Sequence, residues 1–511
     1  MRSLNNIASA WASIVFVSPK GSDLSFADHV LSKSSIDAYI AILQQPFTSR
    51  HVQHQVSLVA ELVTHCCLSD AARNSLVKEG FLDALASLLA SSALSDSASS
   101  HPMTFSAHHL EPISRHILNA LSVIVQGSNY RTHRLIYSPT LRKVLSESRE
   151  RTFYDDTQGP NFHQYRRPTE VLSVDKLLPK IMIQKSVSLG SHSFPALALA
   201  NSRLMAEQSL VDSSSSSPLC VWLIHLSRSH LTPSCRLAAL RLLALVSNAL
   251  DADVAGLRPD FVPRSRERER QIALLAVPIA VNLVKDSANA VTDRATDPKE
   301  ALIVKTEACA VLARLIKTNA EHQKAAHSAN AHKYIARILK KSFDPLPLTR
   351  PMWSPRSPNA DQQTSVSPST RLGDGGLPLE LVYALRCRAG ALEAVAAIAE
   401  REDPIRKDLI EAGVAAYIID SLTPFPDAPA SSTSTYQAKD GNTIPVILAA
   451  CQAATAMSRS VGNLRTSLID AGLGKPVFAL LNHPDHAVQL AATDVSINLV
   501  LDFSPMREVS C

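Results

Sequence analysis

The chain has 511 residues, 46 % hydrophobic and 19 % charged, and a formal net charge of +5; an average soluble protein is about 25 % charged. So mild a positive balance with no basic stripe argues against nucleic acid as a partner, and no apolar run reaches the roughly 18–20 residues needed to cross a bilayer. The eight cysteines form no Cys-x-x-Cys pair and mostly sit in apolar helical text, which argues against a secreted disulfide framework and points to a reducing cytoplasmic and nuclear setting.

Residues 7–17 are an apolar stretch behind Arg2, predicted as a first helix, with a secretory leader as the alternative. Residues 34–43 are amphipathic, and 52–67 form a helix of small residues. There follows the octet Arg-x-x-Leu-[Ile/Val]-x-x-Gly at Arg73 to Gly80, then an apolar segment closing on Leu89, nine residues after the glycine. Residues 92–109 are a Ser/His-rich insert, 112–125 resume as a helix, and 130–145 are a degenerate octet with Pro139 where glycine would stand. After a polar loop at 149–168, helices are predicted at 171–185 and 194–210, and beyond the serine run Ser213 to Ser217 at 219–229 and 233–250.

Residues 264–270 alternate in sign, a solvated helical start rather than a nuclear-localisation run because Glu267 and Glu269 interrupt the arginines. They lead into the apolar stretch 272–284, which contains Pro278. Helices at 301–317 and 332–340 flank Asn330, which occupies the glycine position nine residues before Leu339; Asn tolerates the left-handed conformation better than most residues. The Pro/Ser/Gly-rich segment 342–378 is predicted to be a disordered insert. A helix at 389–400 precedes the octet Arg406 to Gly413, closing on Leu422, and a helix at 446–459 precedes the octet Arg465 to Gly472, closing on Leu481. A second insert at 423–443 explains why Arg406 and Arg465 are 59 residues apart, whereas Arg465 and Arg507 are 42 apart.

The octet has a physical logic. Leu and Ile/Val, adjacent on a short helix, point into the layer between neighbouring units, and the glycine takes the left-handed conformation that turns the chain into the next helix. A unit that cannot bury its apolar faces alone does so by stacking, and a period near 42 is that of armadillo-type repeats. The predicted fold is therefore all-α, an armadillo-type α-solenoid: a right-handed superhelix of three-helix repeats with long disordered inserts and about eight or nine units. Its parts are N-terminal repeats over 1–340, the insert 341–378, and C-terminal repeats over 379–511 with the last incomplete.

Signatures of chemistry are weak. Gly373-Asp374-Gly375-Gly376 lies in the long insert without the strand and Lys-Ser/Thr of a phosphate loop. His51 and His54, His108 and His109, and the trio His322, His327 and His332 lack zinc-ligand spacing with Cys or Glu and are expected to be solvated or loop histidines. Gly190-Ser191-His192-Ser193 lacks the second glycine of a nucleophile elbow. No catalytic residue, metal ligand set or cofactor is assigned.

A groove is the informative place instead. Armadillo proteins that carry nuclear cargo show Trp-x-x-x-Asn on the third helix of each repeat. Counting back thirteen and nine residues from the octet arginines reaches Ala60/Thr64, Glu393/Ala397, Gln452/Ala456 and Asp494/Asn498, of which only Asn498 fits. The candidate protein-binding stripe is thus Glu393, Gln452, Asp494 and Asn498, mildly acidic and suited to a basic or amino-terminal partner segment. The alternative is that these four are simply solvated.

Residues Ile497-Asn498-Leu499-Val500-Leu501-Asp502-Phe503-Ser504-Pro505-Met506-Arg507-Glu508 resemble the apolar helix, Phe-Ser-Pro and basic-acidic turn of the armadillo repeat-containing protein eight family. Its fungal member is the vacuolar import and degradation armadillo subunit of the GID (CTLH) ubiquitin ligase. Most of the likeness lies between Tyr383 and Glu508. The resemblance implies a non-catalytic scaffold joining the helical core subunits of the ligase to its substrate receptor, with ubiquitin transfer left to RING subunits; an adaptor in nuclear transport, adhesion or vesicle traffic is the alternative. The family's repeats continue past this motif, whereas an octet opening at Arg507 would place its Leu-Ile at Ser510 and Cys511. The native chain is accordingly expected to be longer.

Overall fold

A computed structural model describes residues 30–45, 49–95, 111–141, 217–228, 231–254, 262–289, 298–317, 319–346, 379–426, 437–459 and 463–500. These form helices stacked in seven layers. The first layer is α1 (Lys33–Leu43) and α2 (Arg50–Cys66), the second α3 (Asp70–Lys78), α4 (Phe81–Ser95) and α5 (Glu111–Val125), and the third α6 (Asn129–Ile136), α7 (Pro218–Arg228) and α8 (Pro233–Val254). The fourth is α9 (Val262–Gln271), a π-helical turn (Ile272–Ala276), α10 (Val277–Asn289) and α11 (Pro298–Ile316); the fifth is α12 (Ala320–Ser328), α13 (Ala331–Lys341) and α14 (Leu379–Ile398). The sixth is α15 (Asp403–Glu411), α16 (Val414–Ser421) and α17 (Ile444–Ser458), and the seventh α18 (Asn463–Asp470), α19 (Gly474–Leu480) and α20 (His486–Val500).

The third helices, α2, α5, α8, α11, α14, α17 and α20, each pack against the next and make the spine of an all-α armadillo-type solenoid. The helices α5 and α8 are direct neighbours, and the described residues make seven layers where eight or nine were expected. The predicted helices at 171–185 and 194–210, the stretch 7–17, the Phe503-Ser504-Pro505 motif and, of the predicted insert 342–378, residues 347–378 lie outside the described residues; its first residues are ordered against the fold, with Ser342 and Phe343 buried, which corrects the expected start of the insert.

Small residues let the spine helices approach closely. An added Cβ on Gly390 of α14 would stand 3.2 Å from the Ala310 backbone nitrogen of α11, and Ala391, Ala394 and Ala397 on α14 are all buried. Short polar caps start the helices: Ser49, Ser69 and Ser128 accept from the backbone N–H three residues on, and Asn319 accepts from Glu321 and His322.

The octet turns are as predicted. Gly80, Gly413 and Gly472 have φ of 84°, 77° and 95°, and Asn330 joins them at 61°. Leu76, Leu409 and Leu468 are buried. Pro139 instead opens a helical stretch, since its ring forbids positive φ. In the fourth layer there is no turn at all: residues 266–289 run as one helix of 24 residues, apolar and long enough by composition to cross a bilayer, with 61 % of its apolar window buried in the fold. That corrects the expectation that no apolar run reaches spanning length and that the stretch 272–284, with Pro278 in it, is shorter. The π turn carries the helix past the proline, with the Val277 N–H bonded to the Ile272 carbonyl five residues back.

The octet's arginine has a role that pattern alone does not reveal. Arg406 Nε donates to the Ala399 carbonyl at 2.7 Å and the Ala456 carbonyl at 3.1 Å, and its Nη2 donates to the Glu400 carbonyl at 2.8 Å. It thereby satisfies the orphan carbonyls at the C-termini of two successive spine helices. In the fifth layer Gln323 holds the same slot and donates to Ile316 and Lys317, both at 3.3 Å; in the third, the Thr132 hydroxyl donates to Val125 at 3.4 Å. The backward reach is seven residues, and six for the second carbonyl, in each case where it is made.

Segment 423–443, expected to be an insert, is held at both ends. Pro424 and Asn442 make an isolated β-bridge, and the Asn442 amide donates to Asp420 and Thr423 carbonyls at 3.0 Å each. Residues 427–436 lie outside the described residues.

Candidate protein-binding groove

A half-open groove of about 490 Å³ runs across α11, α14, α17 and α20. Its floor is built of small side chains, among them Ala313, Ala396, Ala456 and Ala491. Glu393, Gln452 and Asp494, from three successive spine helices, all line it. The periodic count back from the octet arginines brings these three together because the third helices that carry them pack one against the next.

Asn498 is placed differently. It is half-buried, one turn beyond Asp494, and its Nδ2 donates to the Thr455 carbonyl at 3.2 Å, so this amide ties α20 to α17.

The groove is not the acidic stripe expected from the four residues taken alone. Arg314 of α11, Lys317 just past its C-terminus and Arg459 at the end of α17 line it as well. Arg459 lies 3.6 Å from the Glu400 carboxylate. Burial pushes the Glu393 carboxyl above the usual glutamate range, with Arg314 and Lys317 pulling it back. Burial likewise pushes Arg314 down, helped by the charge of Arg241 and opposed by Glu393 and Glu307. The α11 side is thus cationic and the remainder of mixed sign, with Arg459 among Glu393, Glu400 and Asp494, a correction whose signal was present in the sequence. Asn330 marks a further octet with Gln323 in the arginine slot, and nine residues before Gln323 stands Arg314.

The histidines also differ from expectation. His51 and His54 are exposed, but His322 is buried, its ring bonded to the Leu315 and Glu269 carbonyls at 3.0 Å each. His332 is buried too, while His108 and His109 lie outside the described residues. The seven described cysteines are buried. Burial raises the thiols of Cys66 and Cys451 to about 12, which leaves them as protonated small hydrophobes.

No protein-family model matches the chain. It is 30 % identical over 250 residues to GID complex subunit 5 of Schizosaccharomyces pombe, covering 48 % of this chain and 26 % of that protein. It is 31 % identical over 130 residues to Armadillo repeat-containing protein 8 of Xenopus laevis, covering 25 % of this chain and 16 % of the relative. The chain therefore spans about a quarter or less of the length of these curated relatives. Among solved structures, the designed armadillo repeat protein YIII(Dq)4CqI is 16 % identical, covers 61 % of this chain and 96 % of its own, and overlays with a TM-score of 0.33. An overlay at that score carries no weight, and the repeat architecture rests on the stacking of the spine helices.

Proposed function

Taking the chain as an all-helical armadillo-repeat homologue of GID complex subunit 5 and of Armadillo repeat-containing protein 8, we propose that it is a non-catalytic scaffold subunit of a GID/CTLH-type ubiquitin ligase. In this role it links the helical core subunits to the substrate receptor for ubiquitin-dependent proteasomal degradation, in cytoplasm and nucleus, and RING subunits transfer the ubiquitin. The observation that carries the reading is the similarity over 250 residues to a fungal subunit of that name. The groove supports it: small residues on the floor admit an extended segment, and its charges suit a partner with acidic residues over Arg314 and Lys317 and basic ones over Glu393 and Asp494.

Affinity capture of the tagged full-length chain from its own cells, followed by mass spectrometry, tests this. Recovery of LisH/CTLH-type helical subunits and RING subunits is expected, reduced in Glu393→Lys/Asp494→Lys at unchanged thermal melting. Recovery of karyopherins or cadherin tails in their place overturns the ligase and makes the chain a transport or adhesion adaptor.

A further inference from the structure

Three side chains from two layers meet where the fifth layer packs on the sixth. His327 is the penultimate residue of α12, His332 the second residue of α13, and Asp408 stands on α15. The left-handed turn at Asn330 folds α13 back so that the two imidazoles stack, ring centroids 4.8 Å apart and planes at 30°. His327 Nε2 is 2.7 Å from Asp408 Oδ2, and one donor atom from each of the three lies within 4.8 Å of the others.

We propose that His327, His332 and Asp408 form a zinc site that clips the fifth layer to the sixth. A hydrogen-bonded His327–Asp408 pair accounts for two of the three residues but leaves the third unexplained. His332 is 6 % exposed, and its Nδ1 is buried with no hydrogen-bond partner among the described residues. A buried polar nitrogen without a partner is costly and uncommon in folded proteins. A metal ion supplies what the protein does not.

The donor set selects the ion. Two imidazoles and one carboxylate suit zinc, with a fourth position for water, and are a poor set for calcium or magnesium, which take oxygen ligands. Ligands at about 2.0–2.2 Å in a tetrahedron stand roughly 3.3 Å apart, so the His327–Asp408 contact opens slightly and the longer separations close. Their side chains, 28 % and 40 % exposed, have room for that adjustment. Lys333 and Lys407 add positive charge nearby, which weakens the site without removing a donor.

Titration of the chelator-stripped full-length chain with zinc, in competition with a chromophoric chelator, tests the site. One tight equivalent is expected, weakened more than about 100-fold in His332→Ala and in Asp408→Ala, beyond the usual cost of losing an outer-shell partner. Cobalt in its place is expected to show tetrahedral absorption without thiolate charge transfer. Asp408 is partly exposed, so Asp408→Ala keeps the test valid where His332→Ala fails to fold, and melting in chelator checks each variant. Wild-type zinc binding no tighter than in folded Asp408→Ala, or a cobalt spectrum dominated by thiolate, overturns the proposal.

Discussion

Behind the spine at the fifth layer, Arg388 of α14 is wholly buried and donates to no carboxylate among the described residues. It donates to the Ser342 carbonyl at 2.7 Å, the Ser342 hydroxyl at 3.2 Å, the Ala438 carbonyl at 2.7 Å and the Asn442 side chain, with its guanidinium 3.5 Å over the Phe343 ring. On the groove side, one layer on, Arg459 is exposed and stands 3.6 Å from Glu400. The same residue type is committed to the scaffold in one place and left available in the other. Oriented carbonyls hold the first cation; solvent and a loosely placed carboxylate hold the second.

Arg388 gives the largest effect by which this contrast can be broken. Burial pushes its guanidinium down to about 10, with Asp420 opposing, and it stays charged at neutral pH. Arg388→Met takes the guanidinium donor from four buried acceptors, and the expected loss is about 3–5 kcal/mol in urea unfolding, in the range for breaking a buried charged network. Arg459→Met is expected to cost less than about 1 kcal/mol, as for exposed ion pairs. Equal costs for the two variants break the contrast.

Arg406 comes next. Arg406→Ala removes donors from the Ala399, Glu400 and Ala456 carbonyls and is expected to cost about 2–3 kcal/mol. Arg406→Gln should recover part of that, because Gln323 makes two of the equivalent bonds in the fifth layer. If glutamine melts with alanine, the capping role is wrong.

Gly413 is third. An added Cβ there meets nothing within 4 Å, so a substitution tests backbone strain at φ 77° and not packing. Gly413→Val is expected to cost about 1–3 kcal/mol, and Gly413→Asn less, since Asn330 occupies the matching slot at φ 61°. Unchanged melting of the valine variant removes the turn from the repeat's logic.

The layers were legible because the octet is local: eight consecutive residues carry the leucine and the turn, and Asn330 could be recognised as a glycine substitute. The groove was half legible, since counting along the third helix reaches Glu393, Gln452 and Asp494, but Arg314 appears only once Gln323 is recognised as holding the arginine slot. Arg388 was not legible. Its partner Asn442 lies 54 residues on in a stretch whose composition reads as an insert, and a buried arginine bonded to carbonyls leaves no charge pattern. The His327, His332 and Asp408 cluster escaped for a related reason, because Asp408 comes from the next layer, 81 residues from His327, beyond any ligand-spacing rule.

Glu393 sharpens the contrast from the groove side with the smallest effect. Its carboxyl is raised by burial, with Arg314 and Lys317 opposing, so the folded chain holds that proton to higher pH than the unfolded chain does. Where the native state binds more protons, stability falls as pH rises. The penalty therefore grows as pH rises through and above the ordinary glutamate range. Glu393→Gln removes it, so the variant is expected to melt higher than wild type at neutral pH, with the difference vanishing at acid pH, where the wild-type carboxyl is protonated. Recovery of co-purifying ligase subunits should fall at the same time by at most about fivefold, the scale of one solvent-screened charge. A scaffold residue would lose stability on this change and leave binding alone; a groove residue retained for a partner does the reverse. A lower melting temperature with undiminished recovery would place Glu393 with Arg388 among the groups that hold the layers together.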